Sequence, residues 1–144
     1  MKRRITICLL IFSFCFYSSA HATAQVIEIF DCHKETVINK KNMNSDIQEI
    51  ISNYVDNITT PYKKFNPLPS HGLMIKIPLN QPLNVSNQYF ANVVDEVIII
   101  LPTNEKPYLL LFDDENYPHF YYFEGKLEKL EKKLGTTFNQ QRTQ

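Results

Sequence analysis

The chain has 144 residues, with 15 Lys and Arg against 15 Asp and Glu and a formal net charge of zero, so it lacks the strongly basic balance that nucleic-acid binding requires. Only three glycines and three cysteines are present, which excludes a glycine-rich phosphate cradle and a disulfide-dense scaffold. A length in this range suits one domain with one core.

The amino terminus reads as an export signal. Lys2, Arg3 and Arg4 precede an apolar run from Ile5 to Tyr17, and small residues with Ala-X-Ala spacing follow at Ala20, Ala22 and Ala24. The run is about 13 residues long, whereas a bilayer-spanning helix needs about 20. Cleavage is expected after Ala22 or Ala24, with the second favoured, so that residues 1–24 are removed and the protein becomes secreted, periplasmic or part of the cell envelope. Phe14 stands where lipoprotein processing at Cys15 would need a small residue. The exported chain keeps twelve of the fifteen basic residues and all fifteen acidic ones, for a net charge of −3, and a single cysteine, Cys32. Without an internal disulfide, its stability must come from packing. None of its segments is long and apolar enough to span a membrane.

Residues 25–30, QVIEIF, alternate as a strand does. Residues 33–44 turn polar, with Asn39, Lys40, Lys41, Asn42 and Asn44, and read as a loop. Ser45 and Gln48 have the spacing of a capping box, and behind them Ile47, Ile50, Ile51, Tyr54, Val55 and Ile58 recur every three or four residues, predicting an amphipathic helix that ends at Thr59-Thr60-Pro61. Leu73, Ile75, Ile77 and Leu79 alternate with more polar neighbours as a strand, for which Pro78 suggests an edge position. A loop, NQPLNVSNQ, follows. Two continuous apolar runs, Val97 to Leu101 and Tyr108 to Phe112, predict strands covered on both faces. With Pro118 to Phe123 they make a three-strand antiparallel meander. Leu127, Leu130 and Leu134 share one stripe of a short helix that Gly135 terminates.

The expected fold is α+β: a small antiparallel sheet of about four to five strands, ending in the meander, with one amphipathic helix packed on it and a short C-terminal helix. Residues 25–135 form the single domain, and the tail 136–144 is expected to be disordered. The apolar runs need cover on both faces, supplied by the second helix or by a partner.

Little in this chain resembles assembled chemistry. Cys32 and His33 are neighbours, but adjacent residues of an extended strand point to opposite faces, so a small apolar role for Cys32 is the plainer reading than a reactive thiol. One Cys and three His without paired spacing do not make a zinc pattern, and the acidic residues 113–116 lack the alternation and glycine of a calcium loop. No catalytic residue, cofactor or metal is assigned. The Asn-X-Ser/Thr triplets at Asn57 and Asn84 are read as chance in an asparagine-rich chain. What remains is the aromatic strand: Tyr108, Tyr117, His119, Tyr121 and Phe123 are the candidate contact surface, because aromatic side chains give large contact area at low entropic cost. The leading expectation is an exported bacterial, non-enzymatic protein that binds a protein or envelope component as an inhibitor, immunity factor or envelope accessory. The alternative is a thiol-dependent enzyme or redox protein using Cys32, and a third reading is a structural homodimer paired through the Leu73 to Leu79 edge or a Cys32 disulfide.

Overall fold

The computed structural model describes residues 25–138, so the expected leader 1–24 and the tail segment 139–144 lie outside the described residues. The chain runs β1 (Val26–Asp31), β2 (Thr36–Asn42), α1 (Ser45–Asp56), β3 (Ile58–Pro61), β4 (Gly72–Ser86), β5 (Ala91–Pro102), β6 (Tyr108–Phe112), β7 (Pro118–Phe123) and α2 (Leu127–Leu134). All seven strands belong to one antiparallel sheet in the order β2-β1-β4-β5-β6-β7-β3.

The expected sheet of four to five strands with one helix packed on it is therefore corrected: the described residues are mostly sheet, seven strands with two helices. Two strands escape the sequence pattern for physical reasons. β2 is one of the two edge strands, its residues exposed except for the half-buried Asn39, so it carries lysines and asparagines where a buried strand would alternate. β3 begins at Ile58, which continues the helical spacing of α1 and yet pairs with Phe123 of β7. The segment expected as a loop after Leu79 also extends the sheet, since Leu83 to Ser86 pair with Val94 to Ala91 beyond an irregular step. Leu73 to Leu79 lie within an interior strand between β1 and β5, and not at an edge.

The N-cap of α1 is Asn44, one residue before the expected Ser45. Asn44 accepts from the Ile47 N–H at 3.0 Å, which satisfies one of the first-turn donors. Gln48 reaches across instead, donating to the Gln81 carbonyl and accepting from the Asn80 N–H. Helix α2 ends as expected at Gly135, whose φ of 64° is the left-handed conformation that glycine adopts without strain. Beyond it Phe138 is buried, and its N–H donates to a Glu131 carboxylate oxygen, so residues 136–138 of the expected tail are docked on the core.

The main core lies between one face of the sheet and three covers. Ile27, Ile29, Ile75, Ile77, Val97, Ile99, Leu109 and Leu111 point to this face and are at most 1 % exposed. Helix α1 covers them with Ile47, Ile51, Tyr54 and Val55, and α2 with Leu130 and Leu134. The third cover is the tip of the β4–β5 arm, where Asn87 Oδ1 accepts from the N–H groups of Tyr89 and Phe90, holding a tight turn that packs Phe90 inward. Gly72 admits the chain into β4: a Cβ there would stand 2.2 Å from the Leu101 carbonyl oxygen, at a φ of 127° that side chains rarely adopt.

Candidate functional site

The opposite face of the sheet carries a second apolar cluster that no helix covers among the described residues. It follows from register. One row across the sheet runs Phe30, Met74, Ile100, Tyr108, Tyr122 and Thr60, and the next runs Lys40, Glu28, Lys76, Ile98, Leu110 and Phe120. Ile100, Tyr108 and Leu110 are buried, while Met74, Ile98, Phe112, Phe120 and Tyr122 remain partly exposed around them. Alternation along a strand makes these two faces the necessary result of one run, YLLLF, whose odd residues enter the main core and whose even residues enter this second cluster.

The chain itself crosses part of this face. After β3, residues 62–70 return from the sheet edge towards β4 as an irregular strap. Tyr62 stacks on Tyr108 with ring centroids 4.1 Å apart, and the Tyr108 hydroxyl donates to the Pro67 carbonyl at 2.7 Å. Lys64 pairs with Glu105 of the β5–β6 turn at 2.7 Å. Burial is the first cause that pushes the Tyr108 phenol far above its ordinary range, and the neighbouring Tyr62 adds to it. The uncovered remainder is bordered by two Lys–Glu pairs, Lys40–Glu28 at 2.6 Å and Lys76–Glu96 at 3.1 Å. Their charges balance, so the apolar patch is rimmed by neutralised polar groups, as contact surfaces commonly are.

The five aromatic and histidine positions singled out from sequence do not form one surface. Tyr108 is 1 % exposed beneath the strap, and Tyr121 is 5 % exposed beneath the β4–β5 arm. Tyr121 donates to the Tyr89 carbonyl, and Phe90 meets both His119 and Tyr121 edge-on. Phe123 rests half-buried against Tyr54, and Tyr117 alone is well exposed, at 60 %, in the β6–β7 turn. The strand's outward aromatic residues are Phe120 and Tyr122, the other half of the same alternation.

Cys32 opens the turn between β1 and β2. Its N–H donates to the Gly72 carbonyl, and the turn is fixed by Asp31, whose carboxylate accepts from the N–H groups of His33 and Lys34. Burial first, and the Asp31 carboxylate second, push the thiol pKa up, opposite to the shift of an activated nucleophile. His33 and His71 stack at 4.7 Å, and Ser70 lies within hydrogen-bond distance of His71 Nδ1. His119 and Asp113 meet at 2.8 Å, but the same carboxylate also accepts from the N–H groups of Glu115 and Tyr117, so the pair closes a turn. Among the described residues no three His, Cys, Asp or Glu side chains are grouped to hold a metal, and no helix is long and apolar enough to cross a membrane.

Comparison with known proteins finds no family model, no curated protein and no solved structure that matches this chain.

Proposed function

We propose that this is an exported, non-enzymatic protein that acts by contact, binding a protein or envelope component through the uncovered face of its sheet. The observation that carries the reading is the partly exposed cluster of Met74, Ile98, Phe112, Phe120 and Tyr122, which lies opposite the helices and is only partly crossed by the strap. A monomer gains nothing from leaving these side chains half in water, whereas a partner that covers them recovers the free energy of burial. Aromatic and methionine side chains are also the types enriched at contact surfaces. The raised thiol of Cys32 supplies no support for the enzymatic alternative.

The test is affinity capture from the cell-envelope fraction with a tagged chain beginning at Gln25, in parallel with the Ile98→Ser/Phe120→Ser double variant. Specific capture by the wild type and its loss in the folded variant is the expected result. Equal capture by both chains overturns the assignment to this face. Rapid alkylation of Cys32 at neutral pH would instead favour the thiol reading.

A further inference from the structure

The strap over residues 62–70 presents a second surface of different chemistry. Phe65 is 105 % exposed, its ring projecting wholly into solvent, and Leu68, three residues on, is 51 % exposed. The strap is held at its base by Tyr62 on Tyr108 and by the hydrogen bond to the Pro67 carbonyl, so this tip is presented by a fixed support. Lys63 and Lys64 directly precede Phe65, and the strap has no carboxylate of its own. The Lys64–Glu105 ion pair ties the strap to the β5–β6 turn, while Lys106 of that turn lines a separate depression together with Glu124. Lys63 and Lys64 against Glu105 leave the strap with one positive charge in excess within an exported chain of net charge −3. Pro67 and Pro69 remove two backbone donors of the strap that would otherwise need water.

We propose that the strap is a membrane-docking loop, seating Phe65 and Leu68 at the boundary between headgroups and acyl chains of an anionic bilayer, with Lys63 against the surrounding lipid phosphates. A convex apolar tip flanked by cations suits that boundary, because it inserts without a complementary pocket while the lysines keep their charges at the headgroups. The open sheet face lacks this character, since its lysines are already neutralised by Glu28 and Glu96. The inference stands independently of the partner proposed for that face.

The experiment is co-sedimentation of the chain beginning at Gln25 with vesicles of phosphatidylcholine alone and of phosphatidylcholine containing phosphatidylglycerol. Binding is expected only to the anionic vesicles, weakened about tenfold by Phe65→Ser and about fivefold by Lys63→Glu, and falling with added salt. Phe65 is fully exposed, so the variant's unfolding curve should match the wild type and a loss of binding cannot be assigned to misfolding. Equal binding to both vesicle types, absence of binding to either, or wild-type binding by Phe65→Ser each overturns the proposal.

Discussion

The two faces of the one sheet obey different rules, although they are built from the same strands. On the helix side the buried inward residues of β1, β4, β5 and β6 are β-branched or leucine, at most 6 % exposed, and closed over by α1, α2 and the β4–β5 arm. On the far side the positions that stay partly exposed are aromatic or methionine except for Ile98, and the row is broken by Lys76 and Glu28. The difference teaches that apolar composition alone does not define a core. Ile99 and Ile98 are neighbours in the same run, yet one is sealed and the other is left at a margin.

The comparison breaks most readily at that pair. Ile99→Ala should cost about 2–5 kcal/mol, the range for emptying a sealed site, whereas Ile98→Ala should cost roughly half of that or less because water already reaches it. Guanidinium unfolding of both variants measures the difference, and equal losses would mean that the far face is as closed as the near one. Next in size, Phe138→Ala should cost about 3 kcal/mol, since its buried ring completes the helix side beyond α2. A change below about 0.5 kcal/mol would remove the residues after Gly135 from the core.

Tyr54 sharpens the contrast through pH. It lies on the helix side with its hydroxyl donating to the Lys126 carbonyl at 2.8 Å, and burial pushes its pKa from 10.0 up to about 12. A folded-state pKa above the unfolded one favours the protonated phenol in the native state. Its contribution is therefore complete below the unfolded value and is lost as pH rises from 10.0 to about 12. Tyr54→Phe should lower neutral stability by about 1 kcal/mol through the lost hydrogen bond and flatten the alkaline decline over that window. Unfolding midpoints across the alkaline range check both.

The sequence exposed some of this and concealed the rest for identifiable reasons. The stripe of Ile47, Ile51, Tyr54 and Val55 was legible because one helix face meets one core, and the β5 and β6 runs were legible because they are apolar on both sides. Strand β2 was not, since Lys40 and Lys41 on an exposed edge carry no burial signal, and its entry turn uses Asp31 and a left-handed Glu35 where asparagine or glycine would have announced a hairpin. The aromatic strand was legible as two alternating faces, but which face stays open depends on where Phe90 lands. That is decided by the β4–β5 arm, a contact between residues about thirty positions apart in sequence that no local period encodes.

The central claim, that the protein works through the face the helices leave bare, is tested most directly by site-specific photocrosslinking in the intact envelope. A photoreactive phenylalanine analogue placed at Phe120 is compared with one placed at Glu128, on the exposed side of α2. The account predicts a discrete adduct from position 120 and none from position 128. Adducts from position 128 alone, or from neither position, would contradict it.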